Sequence, residues 1–300
     1  MGEILIGTCS WTDPTLIKSG RFYPDWAKSA ETRLQFYASQ FNLVEVDSSY
    51  YALLNEKTSR LWVERTSESF VFDVKAFRLF TQHPTPLSAL PRDIRSELPQ
   101  GLKEKPNVYR RDLPGELVNE LWGRFEQALL PLDSAGKLGT VLFQFPPWFY
   151  PGNEQRDYIL SCKKRLPQYR LAVEFRHNSW VNEKNQQRTM DFLRQNDLPF
   201  VCVDEPQGFK SSAPPIVETT SDIGLVRFHG RNREMWEKRA SALPSASITS
   251  IVKMSFANGC RGSRSLPPRP DSSTSCSIIA MRIRRWSTSA RSATCWTEEP

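Results

Sequence analysis

Seven short apolar runs in this chain each end in a cluster of polar residues. In chain order they are GEILIGTCSW, LVEVDSSYY, FVFDVKAF, GTVLFQFPP, RLAVEFRHNSW, PFVCVDEP and GLVRFHGRN. Apolar runs of this length are typical of strands buried on both faces, as in parallel sheets. The carboxyl ends of parallel strands meet at one rim of the sheet. A functional site is therefore expected at that rim.

Segments with helical spacing separate the apolar runs, for example residues 32–41 and 116–130. Regular alternation of strands and helices predicts an α/β fold with a parallel sheet wrapped by helices. Seven such units are one short of a closed eight-stranded barrel. We therefore predict a TIM-type (β/α) barrel in which strands 1 to 7 are present, within a single domain that covers residues 1–237. Residues 84–114 form a long connection that is predicted to be a loop or a lid.

The positive charge of the chain is concentrated at one end. The formal net charge is +7, from 40 Lys and Arg against 33 Asp and Glu. Residues 238–300 hold ten of the basic residues and three of the acidic ones, which leaves 30 of each in residues 1–237. A neutral domain argues against a broad surface that tracks phosphates, but it permits a confined anion site.

The composition changes after about residue 239. Serine makes up 14 of the last 63 residues, and no helix or strand period persists there. A disordered basic tail is one interpretation, although the Trp, Cys and Ile content does not fit it. A shifted reading frame is the other, because regrouping the codon bases lets residues 244–267 encode an amphipathic helix with a capping box. This hypothesis predicts that the eighth strand and the last helices are lost from the chain as written.

Several classes of site and location are not expected. The six cysteines follow no metal-ligand spacing, and the three histidines are too few for a multi-metal centre, so we predict no metal. One ion held by Glu174, Asp204 and His229 stays an open alternative. No nucleotide fingerprint follows a strand, so no cofactor is predicted. No apolar segment approaches the roughly 20 residues of a membrane helix, and the expected location is the cytoplasm.

An ordered set of motifs resembles the YecE-like family of uncharacterised proteins. The matching residues are Gly7-Thr8-Cys9-Ser10-Trp11, Phe22-Tyr23-Pro24, Phe36-Tyr37-Ala38, residues 44–51, Phe72-Asp73-Val74-Lys75-Ala76, Thr81 with His83, Gln144-Phe145-Pro146-Pro147, Glu174-Phe175-Arg176 and residues 227–232. The resemblance implies a TIM-barrel fold and no settled activity. Asp47 stands where this family is expected to have Asn. A Phe-Asn-Asn strand expected near the C-terminus is absent as written and present in the shifted frame.

The rim supplies the candidate site residues. Glu174, Asp204, Lys75 and His229 are the candidates for proton transfer, because their side chains can act as general acids or bases. The candidates for ligand binding are Glu45, Arg176, Arg227, Arg231, Gln144, His83, Trp11 and Tyr50. Arginine and lysine suit an anion, and aromatic faces suit a sugar or a base. Each residue also has a structural alternative, such as a barrel salt bridge between Glu45 and Lys75 or packing of Trp11.

These residues predict a site for a small anionic or polyhydroxylated ligand, with phosphate-bearing compounds favoured and Lys75 and the arginines holding the anion. Hydrolase, isomerase and lyase chemistry all fit, and whether the protein is an enzyme stays open. A nucleic-acid-binding protein is the alternative, with the same cations on phosphates and the aromatics on bases. No membrane partner is expected, and the sequence does not predict an oligomeric state. The chain as written is expected to be unstable or inactive.

Overall fold

The computed structural model describes residues 4–230, 233–236 and 279–284. These residues form one large sheet surrounded by helices, together with one small two-stranded sheet. The strands are β1 (Ile4–Cys9), β2 (Leu43–Val46), β3 (Val71–Lys75), β4 (Thr85–Pro86), β5 (Asn107–Val108), β6 (Leu138–Phe145), β7 (Leu171–Phe175), β8 (Val201–Asp204), β9 (Ile223–Phe228) and β10 (Ile279–Arg284). The helices are α1 (Pro14–Lys18), α2 (Ala30–Gln40), α3 (Ser48–Tyr51), α4 (Glu56–Glu64), α5 (Arg92–Glu97), α6 (Gln100–Lys103), α7 (Gly115–Ser134), α8 (Asn153–Arg165), α9 (Gln186–Gln195) and α10 (Arg233–Trp236).

The large sheet contains a curled half-barrel of five parallel strands. Its strand order is β7-β6-β3-β2-β1-β10-β9-β8, and β8 and β9 form a second parallel pair. A parallel bridge between Val173 and Phe200 links β7 to the start of β8. Each of the seven apolar runs therefore contains a strand of this sheet, and the predicted α/β architecture is confirmed.

The last described strand differs from the expected pattern. β10 lies between β1 and β9 and is antiparallel to both, with Ile4 opposite Ile283 and Arg227 opposite Ala280. The position predicted to lack a strand is thus occupied, but by a strand that runs in the opposite direction to its neighbours. A parallel eighth strand does not occur among the described residues. Most of the sequence assigned to the shifted frame lies outside the described residues.

The central strands are buried on both faces, as the apolar runs predict. Strands β1 and β2 approach each other closely at Gly7, where an added Cβ would lie 1.9 Å from the backbone oxygen of Leu43. Only glycine fits such a contact between two backbones. The Tyr37 hydroxyl from α2 also bonds to both strands, since it accepts from the Thr8 amide and donates to the Leu43 carbonyl.

Trp11 belongs to this core. Its ring packs edge-on against Trp62 of α4 and Phe72 of β3, at 5.2 and 6.5 Å between ring centroids. Only 7% of the residue is exposed. The structure therefore corrects its assignment to ligand binding, because the ring fills the layer between the sheet and a helix.

The long connection of residues 84–114 is folded. It contains the β4–β5 hairpin and the helices α5 and α6, and it buries Leu90, Ile94 and Val108 in the main apolar core. An ion pair between Asp93 and Arg124 joins it to α7. These apolar residues anchor the segment to the domain. Its role as a lid stays a prediction.

In the part of the chain that the structure describes, no helix has both the length and the apolar character needed to span a bilayer.

Candidate functional site

Strand register gathers one polar residue from each of several strands on the same side of the sheet. Cys9 is aligned with Glu45 on β2, and Gln144 is aligned with Glu174 on β7. Aligned residues of neighbouring parallel strands point to the same face, and side chains alternate along a strand. The polar residues that end the apolar runs therefore point together into the region enclosed by the curled sheet.

Arg227 is the centre of this cluster. Its guanidinium donates two hydrogen bonds to Glu45, from Nε to Oε2 at 2.8 Å and from Nη2 to Oε1 at 2.6 Å. Nη1 donates to Oε2 of Glu174. Arg227 and Glu45 are each 1% exposed, and Glu174 is fully buried. Two carboxylates thus occupy the planar fork of one buried arginine.

The Arg227 network fixes the charge of Glu174. Burial alone would raise the pKa of this carboxyl, but the positive charge of Arg227 outweighs burial and holds the pKa well below its usual range. Gln144 donates to Oε1 of Glu174 at 2.7 Å. Glu174 is therefore a stable carboxylate with both oxygens occupied, which makes it a poor candidate for a proton donor.

His229 lies beside the same carboxylate. Its Nε2 is 3.1 Å from Oε1 of Glu174 and 3.2 Å from Nη1 of Arg227. The ring donates to the carboxylate when Nε2 carries the proton and accepts from the guanidinium when Nδ1 carries it. Burial lowers the pKa of His229 to about 3. The backbone amide of His229 also donates to the Asp204 carbonyl at 2.8 Å, which ties the end of β9 to β8. The ring is thus a neutral member of the cluster.

Lys75 forms a second charged group at the end of β3. Its Nζ donates to Oδ1 of Asp47 at 2.8 Å and lies 4.8 Å from the centroid of the Tyr50 ring. The Lys75 charge lowers the pKa of Asp47 despite burial, and Asp47 in turn raises that of Lys75. The departure from the expected Asn at position 47 thus supplies a counter-charge to a buried lysine.

Arg78 was missed in the sequence because it lies three residues beyond the end of β3, outside the apolar run FVFDVKAF. It is 8% exposed, and its guanidinium lies 5.2 Å from the Tyr50 ring centroid. Among the described residues, no carboxylate forms an ion pair with Arg78, and its Nε atom has no hydrogen-bond partner. An arginine this buried without a counter-charge is unusual, because burying a charge is costly unless it is paired.

His83 lies close enough to three cations for their charges to affect it. Burial lowers its pKa to about 3, and the charges of Lys75, Arg78 and Arg176 act in the same direction. Its ring lies 5.3 Å from Tyr50 and 5.8 Å from Trp148, a tryptophan that is about half exposed. Three cations that follow the ends of β3 and β7 thus act on one histidine that packs against two aromatic rings.

Arg176 and Glu205 complete the site on the other side. Nη1 of Arg176 is 3.4 Å from Glu174 and 3.5 Å from Oε2 of Glu205, and its guanidinium lies 4.5 Å from the Trp236 ring centroid. Oε1 of Glu205 accepts from the Ala213 amide at 2.6 Å. Burial raises the pKa of Glu205 to about 7. Glu205 is thus the carboxyl in this cluster that can exchange a proton near neutral pH.

Strand alternation explains why Glu205 replaces Asp204 in this arrangement. Val203 is aligned with Arg227, and Asp204 is aligned with Phe228. Asp204 therefore points to the opposite face from Arg227, whereas the next residue returns to the inner face. The alternation of side chains along β8 could have been predicted from the sequence, because Val203 and Glu205 share one face and Cys202 and Asp204 share the other.

Most of the predicted site residues are brought together by the structure. Glu45, Gln144, Glu174, Arg176, Arg227 and His229 form one connected network, and Lys75, Tyr50 and His83 lie at its edge. Trp11 packs in the core, and Asp204 points away. Arg231 lies outside the described residues. No group of three or more His, Cys, Asp or Glu that could hold a metal ion is found in the described ranges.

The fold and the cluster define a class of α/β proteins with a barrel-like sheet and buried charges at the carboxyl ends of its strands. A family model described as "Protein of unknown function DUF72" matches residues 5–292. The chain belongs to this family, and the predicted YecE-like membership is confirmed.

Two relatives and two solved structures illustrate the similarity. The UPF0759 protein YunF of Bacillus subtilis is 34% identical over 236 residues, which cover 78% of this chain and 73% of YunF. The UPF0759 protein YecE of Escherichia coli is 23% identical over 237 residues, or 72% of this chain and 75% of YecE. A DUF72 family protein from Enterococcus faecalis aligns with a TM-score of 0.59 at 25% identity, covering 77% of this chain and 72% of its own. Another from Thermotoga maritima aligns with a TM-score of 0.55 at 26% identity, covering 77% of each.

Proposed function

We propose that the strand-end cluster binds a small oxyanion, such as the phosphate group of a phosphorylated metabolite. The observation that carries this proposal is Arg78, which is 8% exposed and has no carboxylate partner among the described residues. A ligand anion would supply the missing counter-charge. Arg176 is the second cation of the proposed site, because its contacts with Glu174 and Glu205 are long, at 3.4 and 3.5 Å.

The sequence assigned the anion to Lys75 and the arginines, among them Arg176 and Arg227. The present proposal keeps Arg176, adds Arg78, and no longer uses Lys75 and Arg227 for binding. Arg227 already has a bidentate bond to Glu45 and a bond to Glu174, and Lys75 has Asp47. Cations that hold carboxylates at short distances, as Arg227 and Lys75 do, have less to gain from a ligand than Arg78, which lacks a carboxylate partner among the described residues, or Arg176, whose two carboxylate contacts are long. The proposal therefore uses Arg78 and Arg176 for binding and gives Arg227 the task of holding the two carboxylates in place.

The aromatic side chains near these cations suit the rest of such a ligand. Tyr50 and His83 lie beside the cations, and the half-exposed Trp148 packs next to His83. Flat rings of this kind stack on sugar or heterocyclic rings at small entropic cost. A phosphorylated sugar or a nucleotide-like compound would place its anionic group on the arginines and its ring on these aromatics. Hydrolase, isomerase and lyase reactions are all compatible with such a ligand, and the proposal does not choose among them.

The proposal includes closure of the sheet into a TIM-type barrel. It is supported by the Val173–Phe200 bridge and by the pairing of β10 with β1 and β9. In such barrels the loops that follow the strands form the active face. The cluster lies where the polar ends of the strands meet, which is the position this architecture uses for ligands.

Binding of inorganic phosphate and of a sugar phosphate, measured by titration calorimetry, tests the proposal. We expect saturable binding at one site, and we expect Arg78→Gln and Arg176→Gln to weaken it by roughly 1–3 kcal/mol each. Arg60→Gln is the matched control, because Arg60 lies in an exposed pair with Glu56. Unchanged affinity in both test variants would remove the anion site. Affinity for oligonucleotides that falls steeply with salt would instead favour the nucleic-acid alternative.

A further inference from the structure

We propose that Glu205 belongs to the ligand site as a neutral carboxylic acid that donates a hydrogen bond to the bound oxyanion. The site would then take up its anion together with one proton. This inference rests on the proposed anion-binding function and assigns a role to a residue that the sequence did not single out.

The two carboxyl oxygens of Glu205 have different surroundings. Oε1 accepts the Ala213 amide at 2.6 Å, which fixes the carboxyl group against the loop after β8. Oε2 is buried, and within the described residues it has no hydrogen-bond partner. That atom lies 3.5 Å from Nη1 of Arg176, the cation assigned to the ligand. An oxygen that is buried and unsatisfied next to a ligand-binding cation is well placed to contact the ligand itself.

Protonation of Glu205 resolves the conflict between this oxygen and an anion. A carboxylate only accepts hydrogen bonds, so an ionised Glu205 would repel an oxyanion held on Arg176. A protonated Oε2 becomes a donor aimed at the same region. The bond that forms is a hydrogen bond from Oε2 to a ligand oxygen, and the proton comes from solvent.

The charged groups that face Glu205 are Arg176 and Glu174 from the β7 end and Arg227 from β9. Burial raises the pKa of Glu205 to about 7, the two arginines oppose this increase, and Glu174 adds to it. A bound anion would neutralise Arg176 and raise the pKa further. In the free protein, therefore, the binding-competent protonated form predominates below pH 7 and is lost as the pH rises through about 7.

Sulfate is the appropriate probe, because its charge stays constant across the neutral pH range. Burial lowers the pKa values of His83 and His229 to about 3, so both rings also stay neutral there. If the protonated form alone binds, the affinity of the wild-type chain for sulfate should fall about tenfold between pH 6 and pH 8. Calorimetry at pH 8 in two buffers of different ionisation enthalpy should report uptake of nearly one proton per sulfate.

Glu205→Gln distinguishes a ligand-binding role from a purely structural one. The amide can accept from Ala213 and donate to the ligand, but it does not titrate. We expect this variant to bind sulfate with a nearly constant affinity from pH 6 to pH 8 and to take up no proton. Glu97→Gln, at an exposed position of α5, is the control and should keep the wild-type profile.

The outcomes separate the two proposals. A wild-type chain that binds sulfate with a flat pH profile and no proton uptake overturns the role of Glu205 and leaves the anion site standing. A wild-type chain that binds neither sulfate nor phosphate at any pH overturns both. Because proton uptake is measured on the wild-type chain, the conclusion does not depend on the folding of a variant.

Discussion

At the scale of single residues, Arg227 holds the interior charges together. It satisfies two carboxylates at once, and both of them are shielded from bulk solvent. The sequence indicated a function for this arginine, and the structure places it within a salt-bridge network. Sequence patterns could identify Glu45, Glu174 and Arg227 as residues of one rim, but not which of them pair, because pairing depends on distances across the sheet.

Loss of Arg227 should destabilise the protein strongly. Arg227→Met preserves much of the side-chain volume but leaves Glu45 and Glu174 buried without their cation. We expect a loss of about 3–5 kcal/mol in the free energy of unfolding, measured by urea denaturation. Arg60→Met, in an exposed pair with Glu56, should change it by less than about 1 kcal/mol. A similar small change in both variants would contradict the role of Arg227.

Glu205 should make stability depend on pH in the opposite sense to an ordinary carboxylate. Its pKa is raised to about 7 in the folded chain, against roughly 4.3 in an unfolded one. The stability linked to this group is fully present below the unfolded pKa and is lost as the pH rises through about 7. Relative to Glu205→Gln, the wild-type chain should therefore lose on the order of 2 kcal/mol between pH 5.5 and pH 8. The measurement is urea denaturation of both proteins at both pH values. If the difference in their free energies of unfolding is the same at pH 5.5 and pH 8, Glu205 does not titrate in this range.

At the scale of elements, the seven apolar runs located the seven parallel strands of the described residues, because a strand buried on both faces has a distinctive composition. The predicted helices at residues 32–41 and 116–130 correspond to α2 and α7. The elements of the 84–114 connection could not be predicted, since α5 and α6 are too short to establish a period. The direction of β10 also could not be predicted from the sequence, because strand direction is set by pairing and not by composition.

The close contact of β1 and β2 gives a test of this packing. Gly7→Ala would place a Cβ 1.9 Å from the Leu43 oxygen, so the two strands must separate. We expect destabilisation of about 3 kcal/mol, at the upper end of the usual cost of overpacking. Gly123→Ala is the matched control: no atom lies within 4 Å of the added Cβ, and α7 should gain roughly 0.5–1 kcal/mol. Thermal melting of both variants would show whether the two changes have opposite signs.

At the scale of the whole molecule, the neutral composition of residues 1–237 agrees with a cluster in which cations and carboxylates are interleaved. Charge counting could exclude a broad basic surface, but it could not find an unpaired Arg78, because a total says nothing about partners. The frameshift hypothesis for residues 239–300 stays a prediction.

Restoring the alternative reading frame after about residue 239 is expected to raise both the melting temperature and the cooperativity of unfolding. A parallel eighth strand would take the place of the antiparallel β10 between β1 and β9, and its helices would bury additional apolar surface. Calorimetric melting of the written and frame-restored chains makes the comparison. If the written chain melts as high and as cooperatively, the antiparallel β10 closes the sheet equally well and the frameshift hypothesis should be dropped.

The position of β10 also affects how the protein is made. Ile4 pairs with Ile283, so one edge of β1 waits for a partner strand that is synthesised much later. At typical rates of about 5–20 residues per second, that wait lasts roughly 15–55 seconds. Throughout this interval β1 carries exposed backbone donors and acceptors that another nascent chain could engage. Conditions that slow translation would thus be expected to lower the yield of correctly folded protein.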